Sequence, residues 1–289
     1  MELRPANAIL VIGSQGFLGK NICNLLEHSD HLFTSIRGDT KHVFDSHGMI
    51  INIDVFARYE SITVYNCSSG RQQTKELANA SNCLFPTNIL DELSTLSIRI
   101  IWIQFDSYTQ YTVGQIHDMN YVNSKNEFNS GLDKKVSTNR LLSYFRISLP
   151  HLYGLEDNNS RFLPNVFSKI YKGIDVQLTS SRETLPLIDV QDCAREIIAI
   201  SVQREIYGFK QFCTKLSISP SENIELYYFL DSFRKYLNSK AVVTRGLEDS
   251  KVFIEKWEKN EQPPVHLTEI SRTSREETFR KLKENLEQA

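Results

Sequence analysis

The sequence predicts an α/β fold with a doubly wound parallel β-sheet that has helices on both faces. Short apolar runs alternate with segments of helical spacing through the first half of the chain. A glycine-rich turn separates the first run, Asn7–Ile12, from the first helical segment, Phe17–Glu27. Strands that alternate with helices are joined by right-handed crossovers, and such crossovers produce parallel strands with helices on both faces.

The other elements follow from local residue patterns. Runs that are β-branched, aromatic or otherwise apolar predict strands over His31–Ile36, Ser61–Asn66, Ile98–Phe105 and Leu141–Leu149. Helical periodicity in the second half of the chain predicts helices over Phe162–Lys172, Asp192–Gln203, Glu222–Asn238 and Ser274–Glu287. Asp192 is expected to cap the start of its helix.

Composition narrows the class of protein. The chain has 289 residues, and length alone favours about two domains. It has 33 basic and 35 acidic side chains with a net charge of -2, which argues against a nucleic-acid-binding face or a polybasic membrane anchor. Neither a membrane span nor a signal peptide is expected. The five cysteines are scattered without a CxxC pair, as in a reduced cytoplasmic protein.

The glycine turn predicts a dinucleotide site. It comprises Gly13, Ser14, Gln15, Gly16, Phe17, Leu18 and Gly19. Glycines let the backbone turn tightly and approach a pyrophosphate, whose charge is met by the N-terminus of the following helix. The alternative is that these glycines serve only the turn. The position between a strand and a helix favours the nucleotide-binding interpretation.

Tyr121 and Lys125 are the predicted catalytic pair. Residues four apart share one face of a helix, so the ammonium of Lys125 can lie near the phenol of Tyr121. A neighbouring positive charge favours the phenolate form of a tyrosine and makes it a usable proton donor or acceptor. Hydride transfer to a carbonyl needs such a partner, because the carbonyl oxygen gains charge and must be protonated. The alternative is two exposed polar side chains.

Together these motifs resemble the extended short-chain dehydrogenase/reductase family, which includes NAD(P)-dependent nucleotide-sugar epimerases, dehydratases and ketoreductases. The resemblance rests on the GxxGxxG spacing and on Tyr121, Ser124 and Lys125 in a Tyr-x-x-Ser-Lys motif with Glu127 following. It extends from about Ala8 to Leu286 and implies a Rossmann-type sheet with a smaller, discontinuous substrate-binding region. The Rossmann domain is expected over 1–150 and about 185–205, and the substrate region over about 151–184 and 206–289.

The resemblance also assigns cofactor contacts. The position at which relatives carry a ribose-binding acid lies 24 residues beyond Gly13 and is Arg37 here. An arginine can hold a 2′-phosphate, so NADP(H) is preferred, with NAD(H) as the alternative if Asp39 binds the ribose. Cys67 and Ser68 follow the strand whose loop passes along the cofactor in relatives. A nucleophilic role for Cys67 is disfavoured because spacing places no base beside it.

Further assignments concern the substrate. Relatives carry a serine or threonine before the catalytic tyrosine, which indicates Ser107, with Thr109 as second choice and substrate contact. His151 stands where relatives have an asparagine, and it is either a substrate contact or a structural histidine. Arg161 and Arg182 are either a clamp for a substrate diphosphate or surface arginines. No metal site is expected in the Lys41–His47 segment.

Three functions remain open. The first is NADPH-dependent reduction of a keto group on a nucleotide-activated deoxysugar, of the 4-ketoreductase type, in cell-surface or secondary-metabolite sugar biosynthesis. The acidic pair typical of dehydratases is absent, since Asp106 is followed by Ser107. The second is an NAD-dependent nucleotide-sugar epimerase, and the third is a non-catalytic NADP-binding protein of the same fold. The expected partners are a nucleotide-sugar and, by resemblance, a second copy in a homodimer.

Overall fold

The computed structural model describes residues 7–29, 31–35, 42–44, 50–70, 74–107, 119–158, 161–179, 183–202, 213–247 and 271–288. These residues fall into two compact units. The first unit takes its described residues from 7–106, 119–148 and 194–217. The second takes them from 107, 149–193 and 218–288.

The described strands are β1 (Asn7–Ile12), β2 (Leu32–Ser35), β3 (His42–Phe44), β4 (Ile50–Asn52), β5 (Ser61–Asn66), β6 (Arg99–Ser107), β7 (Leu142–Leu149), β8 (His151–Tyr153), β9 (Val176–Gln177), β10 (Thr184–Asp189), β11 (Cys213–Ser217), β12 (Glu222–Glu225) and β13 (Val243–Thr244). The described α-helices are α1 (Phe17–Leu25), α2 (Lys75–Asn79), α3 (Phe85–Thr95), α4 (Met119–Thr138), α5 (Phe162–Tyr171), α6 (Val190–Val202), α7 (Leu226–Tyr236) and α8 (Arg275–Gln288). A 3₁₀ helix covers Ile53–Arg58, and a π-helical turn, Ala80–Leu84, joins α2 to α3.

The large sheet belongs to the first unit. Among the described residues eight strands form it, in the order β11-β7-β6-β5-β1-β2-β3-β4. The pairs β1–β2, β1–β5, β5–β6 and β7–β11 are parallel, and β3 and β4 add an antiparallel hairpin at one edge. The chain leaves β1 to one side for β2 and returns to its other side for β5. Ligands of doubly wound sheets bind at such a reversal, beyond the carboxyl ends of the strands.

Apolar packing explains why these segments are strands and helices. All six residues of β5 are buried, as expected for a central strand covered on both faces. Leu10, Val64 and Trp102 from three neighbouring strands belong to one buried cluster with Phe128 and Leu132 of α4. The side chains at 128 and 132 are four residues apart, so the same face of α4 that packs on the sheet positions the rest of that helix. The prediction of a doubly wound parallel sheet is confirmed.

The second unit has its own core. In its described part β12, β10 and β8 form a three-stranded sheet, and β13 pairs with β9. Phe167 of α5, Phe229 and Phe233 of α7 and Phe279 of α8 stack in edge-to-face and tilted pairs with ring centroids 4.7–6.0 Å apart. Such aromatic pairs add specific geometry to the apolar area they bury.

Two predicted elements are corrected. Glu222–Asn238 is not one helix, because Glu222–Glu225 pairs with β10 and the helix begins only at Leu226. Asp192 does not cap α6, which begins at Val190. The carboxylate of Asp189 accepts the Gln191 backbone N–H at 2.8 Å, whereas Asp192 accepts the backbone N–H and the hydroxyl of Thr273, both at 2.8 Å.

The predicted boundaries between the two regions also differ from the observed ones. Cys213–Ser217, expected in the substrate region, pairs with β7 in the large sheet and belongs to the first unit. Residues 185–193, expected in the Rossmann domain, belong to the second unit, because β10 pairs with β8 and β12. Assignment of the second unit to the substrate stays a prediction.

Candidate functional site

The glycine turn lies at the carboxyl end of β1 and needs glycine for steric reasons. Gly13 has φ +72°, which disfavours any other residue. A Cβ on Gly13 would lie 2.9 Å from the Cys67 carbonyl carbon and the Ser68 nitrogen. A Cβ on Gly19 would lie 2.3 Å from the Gly13 oxygen. The first turn of α1 therefore packs directly on the bend, and the bend packs on the loop after β5.

The N-terminus of α1 is suited to an anion. Gly16 is the N-cap residue and supplies no side-chain cap, and its N–H donates to the Gly13 oxygen at 2.9 Å. The first N–H groups of a helix lack intrahelical acceptors and carry the positive end of the helix dipole. Ser14 and Gln15 form the tip of the turn, with Gln15 exposed. This arrangement fits the pyrophosphate of a dinucleotide.

The loop after β5 contacts both the glycine turn and α4, the helix that carries Tyr121. The Cys67 backbone N–H donates to the Ile12 oxygen at 2.9 Å. The Ser68 backbone N–H and hydroxyl both donate to Asn66 Oδ1, at 3.2 and 2.5 Å. The Ser69 hydroxyl donates to the Tyr121 hydroxyl at 3.4 Å. The loop thus fixes its backbone through Asn66 and leaves the Ser69 hydroxyl facing the phenol.

Cys67 has the chemistry of a structural thiol. The residue keeps part of its surface exposed, yet burial of the thiol raises its pKa far above the usual range, and neighbouring Cys23 adds to the effect. Burial also raises the pKa of Cys23 to about 11. Because the thiolate is the reactive form, neither group is a nucleophile near neutral pH.

Tyr121 and Lys125 lie on the sheet-facing side of α4. Tyr121 is 5% exposed and Lys125 is 4% exposed. The Lys125 Nζ lies 5.8 Å from the centroid of the Tyr121 ring and donates to the Phe105 oxygen at 2.8 Å. An ammonium has three donors, so this bond leaves further N–H groups for a ribose. The pair is buried rather than exposed, as the catalytic interpretation requires.

Asn82 is a site residue that the sequence did not reveal. Its side chain accepts the Gly70 N–H at 2.7 Å and donates to the Gly70 oxygen at 3.0 Å and to the Ser124 hydroxyl at 2.9 Å. The Ser124 hydroxyl in turn donates to the backbone carbonyl oxygen of Tyr121 at 2.9 Å. Asn82 therefore connects the loop after β5 to α4, the helix that carries Tyr121.

The π-helical turn explains how Asn82 reaches that position. It interrupts a run of helix from Lys75 to Thr95 at Ala80–Leu84, and π-helical turns occur often at functional sites. The available signal in the sequence was the polar pair Ser81-Asn82 between apolar residues of a helical segment. Both side chains are buried.

The remaining predicted residues divide into two groups. Arg37, Thr109 and Arg182 lie outside the described residues, so their assignments stay predictions. Ser107 is the last residue of β6 and is half-buried. Its role as the hydroxyl that holds the substrate oxygen also stays a prediction.

His151 and Arg161 belong to the second unit. His151 begins β8, pairs in register with Leu187 and is half-buried. Arg161 precedes α5, and its guanidinium donates to Asp157 at 2.9 Å. Nearby Tyr153 is no acid–base candidate, because burial raises its pKa to about 12. Substrate contact by His151 and Arg161 stays a prediction.

The described residues contain neither a candidate metal cluster nor a helix suited to crossing a membrane. Within the ranges given above, no group of three or more His, Cys, Asp or Glu side chains is arranged to hold a metal ion. No helix in that part of the chain is long and apolar enough to span a membrane.

Comparison with known proteins identifies the family. The model of the NAD dependent epimerase/dehydratase family matches residues 9–207. The CDP-abequose synthase of Salmonella muenchen is 22% identical over 166 residues, which make up 57% of this chain and 55% of that protein. The match thus covers little more than half the length of that relative.

Solved structures share the fold over nearly the whole chain. UDP-glucuronic acid 4-epimerase from Bacillus cereus, in complex with UDP-glucuronic acid and NAD, aligns with TM-score 0.65 and 13% identity, covering 97% of this chain and 99% of its own. UDP-N-acetylglucosamine 4-epimerase from Methanobrevibacter ruminantium M1, in complex with UDP-N-acetylmuramic acid, aligns with TM-score 0.68 and 13% identity, covering 98% and 99%. With the family match, the chain belongs to the NAD dependent epimerase/dehydratase family, within the extended short-chain dehydrogenases/reductases.

Proposed function

We propose that the protein is an NADPH-dependent reductase of a keto group on a nucleotide-activated deoxysugar, of the 4-ketoreductase type. The observation that carries the proposal is the buried Tyr121–Lys125 pair, linked by Ser69 and Asn82 to the loop beside the glycine turn. A nucleotide-sugar substrate is supported by solved relatives that hold UDP-sugars and by the CDP-sugar in the name of the Salmonella relative.

The residues present fit a dinucleotide. The glycines of the turn have no side chains to cover the backbone, so a pyrophosphate can approach it. The N-terminus of α1 has no side-chain cap and its N–H groups suit the same anion. Lys125 would hold the nicotinamide ribose, and Arg37 supports a 2′-phosphate and hence NADPH. When bound, the dinucleotide supplies a hydride to the carbonyl carbon.

The proton comes from the protein. As the carbonyl carbon gains hydride, its oxygen gains negative charge, and the Tyr121 O–H bond breaks as the product O–H bond forms. The phenolate left behind is stabilised by the Lys125 ammonium. Ser107 is assigned to orient the substrate oxygen. Ser69, which donates to the Tyr121 hydroxyl, directs the phenolic proton away from the loop.

The surroundings of Asp106 favour reduction over dehydration. Removal of water from a sugar needs an acidic group that can give and take a proton. The Asp106 carboxylate accepts from Asn129 at 2.9 Å and pairs with Arg146, and the residue is 1% exposed. A carboxylate that is buried and already held by an amide and a guanidinium is not placed to exchange protons with a substrate.

The test is turnover with nucleotide-linked 4-keto deoxysugars, followed by NADPH consumption. Tyr121→Phe is expected to lower kcat by at least about 10²-fold while NADPH binding persists. Lys125→Met is expected to weaken NADPH binding and turnover together. Lys134→Met, at an exposed position of the same helix, is the matched control. Full turnover by Tyr121→Phe with any accepted ketosugar would overturn the proposal.

An NAD-dependent nucleotide-sugar epimerase is the second candidate. It is favoured by the alignment of 4-epimerases over nearly the full length of the chain. In this case purified protein carries bound NAD and interconverts UDP-sugar epimers without added NADPH. Dinucleotide binding with no turnover of any nucleotide-sugar would contradict both candidates and support a non-catalytic binding protein.

A further inference from the structure

A buried charged cluster lies beside the catalytic helix, at the end of β6. The Asp106 side chain is fully buried, and its Oδ1 accepts from Asn129 Nδ2 at 2.9 Å. Its Oδ2 forms an ion pair with the Nε of Arg146 on neighbouring β7. A buried carboxylate is stable only when it is paired and hydrogen-bonded, and this one is held from two elements.

The same helix holds the preceding residue of the strand. Lys125 and Asn129 are four residues apart on one face of α4, and they donate to Phe105 and Asp106 respectively. The helix is therefore hydrogen-bonded to two consecutive residues of β6. These two bonds fix the rotation of α4 about its axis, and with it the direction in which Tyr121 and Lys125 point.

The Lys125 ammonium donates to the backbone carbonyl of Phe105 and not to the carboxylate of Asp106, the next residue of the strand. Across the described chain, no carboxylate lies within ion-pair distance of the Lys125 Nζ. Coulomb attraction is strong in the interior, so an Asp106 without Arg146 would draw Lys125 away from Phe105. Arg146 satisfies Asp106 and leaves the Lys125 charge beside Tyr121.

The described ionisable groups near this cluster include Lys215 of β11, which lies in register with Arg146 and is exposed. The thiols of Cys23, Cys67 and Cys83 are neutral near pH 7, because burial raises their pKa values. The remaining groups on α2 and α4 near the pair are exposed to solvent and screened: Lys75, Glu76 and Glu127. Among the described groups, the buried or half-buried charges near Tyr121 are therefore those of Lys125, Arg146 and Asp106.

We propose that Arg146 is a positioning residue for Lys125, acting through Asp106. By occupying the Asp106 carboxylate it keeps the Lys125 ammonium on the Phe105 carbonyl and near the Tyr121 ring, where it would hold the ribose of a bound dinucleotide. The proposal rests on the proposed function, since it assigns to Lys125 its role beside Tyr121. It adds a charge pair that the Tyr–Lys motif does not contain.

The test uses two single variants that change the local charge in opposite senses. Arg146→Gln removes the cation from Asp106, which can then capture Lys125, so phenolate formation at Tyr121 is expected to move to higher pH by about half to one unit. Asp106→Asn removes the negative charge and is expected to move it to lower pH by a similar amount. The readout is ultraviolet difference absorbance of the dinucleotide-free protein, with Tyr121→Phe subtracted.

The double variant Asp106→Asn with Arg146→Gln is the decisive control. The amide introduced at position 106 can accept from Asn129 and donate to the new glutamine oxygen, so the double variant is expected to titrate near the wild-type pH. Arg146→Gln alone should also raise the Kd for NADPH roughly tenfold, whereas Arg146→Lys should restore it. Arg99→Gln, an exposed arginine at the start of β6, controls for loss of a cation.

The outcomes separate this proposal from the proposed function. Shifts of the same sign in both single variants, or a double variant as perturbed as Arg146→Gln, would overturn the positioning role. If Arg146→Gln fails to fold, Asp106→Asn and the double variant still give the comparison. Opposite shifts together with the roughly tenfold rise in Kd for Arg146→Gln, but without reduction of any ketosugar, would retain the positioning role and refute only the proposed reaction.

Discussion

Substituting alanine at Gly19 tests whether the glycine turn is shaped for close backbone contact. Glycine to alanine in a helix ordinarily stabilises a protein by about 0.5–1 kcal/mol. At Gly19 the added Cβ would lie 2.3 Å from the Gly13 oxygen and 3.1 Å from the Ser14 Cα. Non-bonded carbon and oxygen atoms approach to about 3.3 Å, so the bend must move by about 1 Å. Overpacking of this kind costs about 1–3 kcal/mol.

We therefore expect Gly19→Ala to lower the free energy of unfolding by up to about 2 kcal/mol, because the strain exceeds the gain in helix propensity. A displacement of about 1 Å in the turn is also expected to weaken NADPH binding, because the backbone N–H groups that would meet the pyrophosphate move with it. Gly131→Ala is the matched control, since Gly131 lies in α4 with no atom within 4 Å of the added Cβ.

The assays are urea unfolding and a fluorescence titration with NADPH and NADH. Gly131→Ala should unfold at a higher urea concentration than the wild type and should bind each dinucleotide with the affinity of the wild type. Gly19→Ala should unfold earlier and bind weakly. If both variants were equally stabilised and bound NADPH like the wild type, the steric reasoning and the assignment of the turn would be refuted together.

Three further predictions concern the loop after β5 and its neighbours. Asn82→Ala should destabilise the fold by about 1–3 kcal/mol, because it leaves the buried backbone N–H and carbonyl groups of Gly70 without these partners. Asn88→Ala, at an exposed position of the next helix, should leave the stability unchanged. Urea unfolding measures both variants. Ser69→Ala should lower kcat by only about fivefold, while Ser107→Ala, if that hydroxyl holds the substrate oxygen, should lower it by about 10²–10³-fold. Cys67 should resist alkylation at pH 7.5 and react after unfolding, because its raised pKa keeps it as the thiol, as peptide mass spectrometry would show.

Each of these has a result that would count against it. Equal stability of the two asparagine variants would mean that the bonds to Gly70 contribute nothing. A larger loss of turnover in the Ser69 variant than in the Ser107 variant would reverse their roles. Rapid labelling of native Cys67 would show that its thiol is accessible and ionised.

Elements that depend on local pattern were predictable. β1 has the predicted bounds Asn7–Ile12, and the helix after the glycine turn begins at Phe17 as predicted. Both are determined by short-range apolar spacing and by turn chemistry. Glu222–Glu225 was wrongly assigned to a helix because its strand conformation depends on pairing with β10, some 40 residues away in sequence.

The shared helix face of Tyr121 and Lys125, the proposed catalytic pair, was predictable for the same reason, whereas the contacts that support the pair were not. Tyr121 and Lys125 are one helical turn apart, so their spacing alone indicates a shared face. Asn82 contacts groups 12 and 42 residues away in sequence, and the Asp106–Arg146 pair spans 40 residues. Such contacts follow only from strand order and from the packing of α4 on the sheet. A single sequence has no periodicity that reports them.

Two hydroxyls are candidates for the third catalytic residue of the proposed reductase, one by sequence spacing and the other by its contact with Tyr121. Sequence spacing selects Ser107, which precedes Tyr121 by fourteen residues, while Ser69 lies 3.4 Å from the phenol oxygen. When Ser69 donates to that oxygen, the phenol is the acceptor in that bond, and its own proton is donated to a different acceptor. A ketone oxygen at the catalytic position is such an acceptor. In the proposed reduction Ser69 would therefore support Tyr121 as the acid, and the substrate oxygen would need its second donor from elsewhere, which is the role that the sequence predicts for Ser107.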